Sequence, residues 1–174
     1  MNKLEELLSR NNLTLDNFFD ESYSSLLVSI FQIIVDELED NKELKAKTKD
    51  RIRNSLNLIL TIKNIVKEVT SVIVNDEESM TIMAWINAYF NKKNKRIVYD
   101  FSIRNKLLES QKNHCNICKK DIDNSDSELD HIVPWHYVGD ELGLNNLQML
   151  CRDCNRHKSK SSSFNLKMFL IQKK

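Results

Sequence analysis

Apolar residues recur every three or four positions through most of the first 91 residues, which is the spacing of amphipathic helices. The pattern predicts a short first helix with Leu4, Leu7 and Leu8 on one face. A second helix follows, with Thr14 and Asp16 as candidate caps. Its predicted apolar positions are Phe18, Phe19, Leu26, Leu27, Ile30, Phe31, Ile34, Val35 and Leu38.

The next part of the pattern predicts two further helices. The charged stretch 39–50 is typical of a helix end and a connection. The β-branched run Ser71–Val74 ends the third helix or forms a strand. Asn75 and Asp76 are good caps for a fourth helix, in which the aromatic residues are predicted to be core. The third helix carries Ile52, Leu56, Ile59, Leu60, Ile62, Ile65, Val66 and Val69, and the fourth carries Trp85, Tyr89 and Phe90.

The distribution of turn residues divides the chain. No glycine or proline precedes Pro134, which favours long helices packed as a bundle. Both glycines, Gly139 and Gly143, follow that proline within ten residues. This concentration of turn residues predicts a loop, and loops held by a rigid scaffold often contain catalytic or binding residues. An extended or mixed segment is predicted over 97–103 and a helix over 103–111. We therefore predict a helical domain over residues 1–96, a connection over 97–111 and a second domain over 112–174.

Hydropathy argues against a membrane or secreted protein, and the charge is unevenly distributed along the chain. No apolar stretch is long enough for a membrane helix, and the N-terminus lacks a signal-peptide core, so a cytoplasmic protein is expected. Residues 1–91 hold 10 basic and 15 acidic side chains, whereas residues 92–111 hold 6 and 2. The basic run 92–96 is either a solvated linker or a contact to a nucleic-acid backbone.

The four cysteines form two C-x-x-C pairs, a spacing that indicates metal ligation rather than disulfides when no secretory signal is present. Four thiolates saturate a tetrahedral zinc ion and leave no open position, so the predicted zinc is structural. It would join the two ends of a region too small for a core of its own. The predicted ligands are Cys115, Cys118, Cys151 and Cys154.

Between and after the cysteine pairs stand the run Asp130-His131-Ile132-Val133-Pro134, then Asn146, then the ending Cys154-Asn155 followed by Lys158, all in one order with the flanking cysteines. This pattern resembles that of the HNH (ββα-metal) endonuclease family. It covers about 50 of the 174 residues. It implies a small zinc-stapled ββα-metal module, and together with the helical bundle predicted before it the expected protein is mainly α.

The resemblance assigns roles that suit phosphodiester hydrolysis. His131 is the expected general base, because imidazole exchanges protons near neutral pH. Asp130 and Asn155 offer the hard oxygen ligands that Mg²⁺ or Mn²⁺ prefers. Since neighbouring residues on a strand point to opposite faces, Asp130 and His131 share one site only if the backbone turns there, and Pro134 is a candidate for that turn.

The resemblance also implies supporting residues. Asn146 is expected to brace the catalytic loop through backbone hydrogen bonds, although Asn145 competes for this role. His157 is either near the metal or a phosphate, or a solvated helix residue. His114 and His136 are expected to be structural or solvent-facing, and Trp135 to pack on the knuckle or a helix. The candidate phosphate contacts are Arg152, Arg156, His157 and Lys158.

These observations predict a metal-dependent endonuclease that acts on DNA, of the kind found in restriction, homing and phage-defence systems. The alternative is a zinc-ribbon module that binds nucleic acid without cutting it. The N-terminal helices would set specificity, dimerisation or regulation, or belong to a longer effector domain. Their acidic balance favours contact with a second copy or with a partner protein.

Overall fold

A computed structural model describes residues 5, 6, 9 and 15–158, without the side chains of residues 15, 17, 18, 20 and 21. The predicted first helix around Leu4, Leu7 and Leu8, the Thr14 cap and the Phe18 side chain lie outside the described residues. The described part is mainly helical, with a two-stranded sheet, as predicted. Its helices are α1 (Leu15–Asp40), α2 (Lys42–Arg53), α3 (Leu58–Thr70), α4 (Asp76–Asn91), α5 (Phe101–Ser110), α6 (Trp135–Val138) and α7 (Arg152–Lys158), and its strands are β1 (Ser127–His131) and β2 (Leu147–Cys151).

Contacts between Cα atoms divide the chain into two compact units. The helical unit consists of residues 27–97 and 133–146, and the cysteine unit consists of the described parts of 1–26, 98–132 and 147–174. The loop between the two strands therefore packs with the helices, although it lies within the C-terminal part of the sequence. None of the described helices is long and apolar enough to cross a membrane.

The helical unit is built around apolar side chains of α1, α3 and α4. Phe31 is fully buried and meets Trp85 edge-on, with ring centroids 5.7 Å apart. Trp85 and Phe90 are partly buried against this core and Tyr89 is buried, so the aromatic residues of α4 are core as predicted. The buried core residues of α1, α3 and α4 are Leu27, Val28, Ile30, Phe31, Ile34, Val35, Leu38, Ile62, Ile65, Val66, Ile82, Ile86, Ala88 and Tyr89.

The helix end predicted in the charged stretch 39–50 is confirmed, because α1 ends at Asp40, but two other predicted boundaries are wrong. The stretch is not a connection, because Asn41 alone separates α1 from α2 and caps α2 by accepting a hydrogen bond from the backbone N–H of Leu44 at 3.0 Å. The predicted third helix is broken, because α2 ends at Arg53 and Asn57 caps α3 in the same manner. Local capping by asparagine thus outweighs a continuous apolar pattern. Leu56, which falls between these helices, is exposed.

The run Ser71–Val74 is not a strand. Ser71 ends α3 in the left-handed conformation, with φ of 61°. Val74 is buried in the helical core and Ile73 is exposed. Asn75 then starts α4 with a full capping box that includes Glu78, which confirms the predicted cap.

The segment 133–146 is held in the helical unit by apolar and polar contacts. Val133 and Val138 are buried in the helical core, and Tyr137 meets Phe31 edge-on at 6.1 Å. The basic run 92–96 packs on this segment. The Lys92 ammonium donates to the backbone carbonyl of His136 at 2.6 Å, and the Arg96 guanidinium lies 5.6 Å from the centre of the Trp135 ring.

The cysteine unit contains the sheet. Strands β1 and β2 pair antiparallel, with Asp130 opposite Gln148 and His131 opposite Leu147. Every residue of β2 is buried, whereas in β1 only the two end residues, Ser127 and His131, are buried. Helix α5 begins at Phe101, two residues before the predicted start, because the Asp100 carboxylate caps it by accepting from the Ile103 N–H at 3.1 Å. The unit's small core surrounds the cysteines and includes Leu108, Ile122, Met149 and Leu150.

Candidate active site and metal centre

The four cysteines converge in the cysteine unit. Their Sγ atoms all lie within 4.8 Å of one another, and those of Cys118 and Cys151 are 3.7 Å apart. Four thiolates about 2.3 Å from one tetrahedral zinc have S–S edges of about 3.8 Å. A disulfide requires a separation of only about 2.05 Å. The set therefore fits zinc and not a disulfide.

The backbone of each pair forms a tight knuckle. The Cys115 N–H donates to the carbonyl of Lys120 at 2.8 Å, and the Lys119 N–H donates to the carbonyl of Cys115 at 2.9 Å. Lys119 adopts a positive φ of 55°, which this turn requires. In the second pair, the Cys154 N–H lies 3.5 Å from the Cys151 Sγ. Each pair thus points two sulfurs towards one position.

The thiols perturb one another's ionisation strongly. The hydrogen bond from Cys154 lowers the pKa of Cys115 to about 4. Burial is the largest of the causes that raise the pKa of Cys118 to about 11, and the neighbouring Cys115 thiolate adds to it. The pKa of Cys154 is raised well above its ordinary value, first by its hydrogen bond to Cys115. A thiolate at one cysteine therefore makes ionisation of the neighbouring thiols less favourable. A bound dication would allow all four thiols to ionise.

The Asp130 carboxylate lies in a polar network on one face of the sheet. Its Oδ2 accepts from the Gln148 amide at 2.9 Å and from the Lys158 ammonium at 3.0 Å. The ammonium also donates to the His131 carbonyl at 2.7 Å. The Lys158 side chain is 1% exposed and that of Asp130 is 16% exposed. The prediction that Lys158 contacts a phosphate is corrected, because its ammonium is buried inside the module.

Asn155 is one helical turn before Lys158 on α7 and meets the same face of β1. Its Nδ2 donates to Glu128 Oε2 at 2.6 Å. Glu128 and Asp130 are two residues apart on the strand and so share a face. The contact with Glu128 directs the amide oxygen of Asn155 away from that carboxylate, which suits a ligand role for the oxygen.

His131 is the last residue of β1 and is 4% exposed. The ladder is regular through this residue, so the Asp130 and His131 side chains leave β1 on opposite faces. The turn at Pro134 comes after the strand, where Pro134 precedes the short helix α6. No hydrogen bond among the described residues joins the Asp130 and His131 side chains. The backbone turn expected at Asp130 and His131 is therefore not present, since Pro134 follows the strand instead of bending it. A reaction that uses both side chains would have to take place where β1 ends at His131.

Asn146 fastens the start of the loop between the strands. Its Oδ1 accepts from the Val133 N–H at 2.7 Å, and its Nδ2 donates to the Val133 carbonyl at 3.0 Å. Asn146 is 4% exposed, whereas Asn145 is exposed. The two hydrogen bonds satisfy both backbone groups of a buried residue, which rigidifies the chain two residues after His131.

The other polar candidates lie at the surface of the module. Arg152 donates to the Ser125 carbonyl at 2.8 Å and, like Arg156, is exposed. The Nδ1 atom of the exposed His157 is 2.6 Å from the Asp153 carbonyl, so this ring is fixed on its own helix. His114 pairs with Asp121 at 3.1 Å, and Trp135 donates to Asp140 at 2.8 Å.

Removing the Lys158 charge should destabilise the module. Lys158→Met leaves the Asp130 carboxylate without its buried partner, and breaking such a pair costs about 3 kcal/mol. Urea unfolding at saturating zinc, followed by far-UV circular dichroism, measures the loss. Arg156→Met on the same helix is the control and should change stability by less than about 0.5 kcal/mol. Equal stability of the two variants would show that the pair contributes nothing.

Three residues at the site were missed at the level of sequence: Glu128, Gln148 and Asn116. The period of two along a strand could have indicated Glu128, because it lies on the face of Asp130. Gln148 required the register of β2, which fixes it opposite Asp130. Asn116 required the fold of the first knuckle, where it donates to Gln148 Oε1 at 2.8 Å.

Comparison with known proteins supports the resemblance. A family model described as HNH endonuclease matches residues 115–161. The match spans both cysteine pairs and both strands, and the residues before Cys115 lie outside it. Residues 115–161 thus match the HNH endonuclease family model and contain a four-cysteine cluster that suits zinc. A search of curated proteins and a search of solved structures found no match.

Proposed function

We propose that this chain is a metal-dependent endonuclease that hydrolyses phosphodiester bonds in DNA, with residues 115–161 as its cutting module. The observation that carries the proposal is the arrangement of two hard oxygen donors on one face of β1. Asp130 is held through its Oδ2 by Gln148 and Lys158, and Asn155 is held through its Nδ2 by Glu128. Each residue keeps one oxygen for a ligand role, which supports a site for Mg²⁺ or Mn²⁺.

The proposed chemistry divides among residues of the chain. His131 takes the proton from the attacking water as general base. Asp130 and Asn155 hold the divalent cation, which when bound supplies Lewis-acid stabilisation of the scissile phosphate and of the departing 3′ oxygen. Asn146 fixes Val133, two residues from His131, and so limits the motion of the loop that follows the base. The expected products carry a 5′ phosphate and a 3′ hydroxyl.

Arg152, Arg156 and His157 are the proposed phosphate contacts. All three lie on α7, whose Asn155 belongs to the proposed cation site, and all are exposed. Guanidinium groups suit phosphate oxygens because they present paired donors in a fixed plane. These contacts would position the backbone without reading its sequence.

The second candidate is a module that binds nucleic acid without cutting it. The zinc cluster alone would serve that function, but Asp130, His131 and Asn155 would then have no chemical task. The helices of residues 1–96 are proposed to contact a second copy or a partner protein, because residues 1–91 within them hold 15 acidic and only 10 basic side chains. Restriction or defence against phage is the proposed setting for such a nuclease.

A panel of substrates tests the proposed class. The purified, zinc-loaded chain is incubated with supercoiled plasmid, linear duplex, single-stranded DNA and RNA, each with Mg²⁺, Mn²⁺ or chelator. We expect metal-dependent cleavage of at least one DNA substrate. Cleavage of RNA alone would contradict the assignment to DNA, and cleavage that persists in chelator would contradict the metal dependence.

A further inference from the structure

A chain of side-chain amides links the first cysteine knuckle to Asp130. Asn116 lies between Cys115 and Cys118, and its Nδ2 donates to Gln148 Oε1 at 2.8 Å. Gln148 Nε2 then donates to Asp130 Oδ2 at 2.9 Å. Gln148 is 1% exposed, so its amide has little access to water and makes its hydrogen bonds inside the protein.

The chain fixes which end of the Gln148 amide faces the carboxylate. Because Asn116 presents an N–H donor, Gln148 meets it with its oxygen and turns its NH₂ group towards Asp130. The backbone of the knuckle holds Asn116 in place, since its N–H donates to the Met149 carbonyl at 3.1 Å. A carboxylate that receives a donor in a fixed direction is restrained in its rotation.

Gln148 and Lys158 meet the same oxygen of Asp130. A cation bound through Oδ1 would therefore displace neither donor, and both would keep the carboxylate aimed. Lys158 supplies charge, whereas Gln148 supplies direction, because its position opposite Asp130 is set by the ladder. Lys158 thus compensates the charge of the Asp130 carboxylate, and Gln148 orients that carboxylate.

We propose that Gln148 is a positioning residue for the divalent-cation site at Asp130, and that Asn116 acts on that site through Gln148. This inference rests on the proposed function, because it assumes that Asp130 binds the cation. The first cysteine knuckle then has a second role besides binding zinc. It holds the Asn116 amide, which fixes Gln148 and so orients the cation ligand Asp130.

Direct binding of Mn²⁺ tests the inference without nucleic acid. Electron paramagnetic resonance of the zinc-loaded, full-length chain gives the Mn²⁺ dissociation constant. Gln148→Met keeps the volume of the side chain but removes its hydrogen bonds to Asn116 and Asp130, and we expect it to weaken Mn²⁺ binding about 10- to 100-fold. Asn116→Leu should weaken binding by a smaller factor. Zinc content should stay at the wild-type value in both variants.

The double variant separates positioning from general damage. If Asn116 acts through Gln148, the double variant should bind Mn²⁺ with the same affinity as Gln148→Met, because Asn116 has no further effect once Gln148 is replaced. Gln111→Met is the matched control. Gln111 also braces β2, by accepting from the Met149 N–H at 2.8 Å, but none of its hydrogen bonds among the described residues goes to Asp130. It should leave Mn²⁺ binding unchanged.

Three results would overturn all or part of the inference, each in a different way. Wild-type affinity in Gln148→Met, with binding still lost in Asp130→Asn, would remove the positioning role and leave the proposed function intact. The same affinity in wild type and Asp130→Asn would remove the cation site, and the inference with it. Losses that simply add in the double variant would show that Asn116 does not act through Gln148.

Discussion

Cys154→Ser should release the zinc and unfold the small core around it. The cysteine unit buries few large apolar side chains around the cluster, among them Leu108, Ile122, Met149 and Leu150. Structural zinc contributes about 10–16 kcal/mol of apparent binding free energy in comparable sites. One lost thiolate leaves a hydroxyl, a poorer ligand, beside sulfurs that oppose one another's ionisation. Metal analysis should show less than one zinc per chain, and circular dichroism should show lost structure.

A conservative core substitution is the control for this prediction. Met149→Leu changes the same core without removing a ligand, and volume-conserving changes of this kind cost less than about 1.5 kcal/mol. It should retain zinc and structure. If Cys154→Ser kept a full zinc ion and the wild-type unfolding midpoint, the cluster would not be the structural centre of the module.

His131→Ala should lose cleavage while keeping nucleic-acid binding. A positioned general base contributes about 10²- to 10⁴-fold to the rate, and no other residue of the proposed mechanism replaces it. Because His131 is buried at the end of β1, the substitution also leaves a small cavity. Single-turnover cleavage of a labelled duplex, with affinity measured on the same substrate, separates the two effects.

The control for His131 is another histidine of the same segment. His136 is exposed, and its backbone carbonyl, rather than its ring, receives the Lys92 ammonium. His136→Ala should therefore cut at the wild-type rate. Undiminished cleavage by His131→Ala would refute the proposed mechanism, since no proton acceptor would be missing. Loss of binding with loss of cleavage would assign His131 a structural role instead.

Features set by local chemistry were predicted from the sequence. The two C-x-x-C pairs predicted one cluster, because four thiolates gain most by sharing one ion. Asn75 predicted the start of α4, because an asparagine side chain satisfies the first free N–H groups of a helix. The same rule, applied to Asn41 and Asn57, would have corrected the two wrong boundaries. The apolar pattern obscured those caps.

Features set by tertiary contacts were not predicted. Lys158 was predicted to contact a phosphate, which requires an exposed ammonium. Its burial depends on the tertiary contact between α7 and β1, where Asp130 and the His131 carbonyl receive the ammonium. The packing of residues 133–146 with the helices was also missed. Buried valines such as Val133 and Val138 indicate a core position, but their sequence does not say which of the two cores they join. The Asn116–Gln148 contact joins residues that are 32 positions apart in sequence.

Cleavage in the presence of proven binding tests the central claim most directly. The zinc-loaded, full-length chain is first bound to a labelled DNA duplex in chelator that spares the zinc, and Mn²⁺ is then added to the preformed complex. We predict that the DNA stays intact before the addition and is cut afterwards, leaving 5′ phosphate and 3′ hydroxyl ends. A stable complex whose DNA remains uncut at every Mn²⁺ and Mg²⁺ concentration would contradict the claim and identify a binding module.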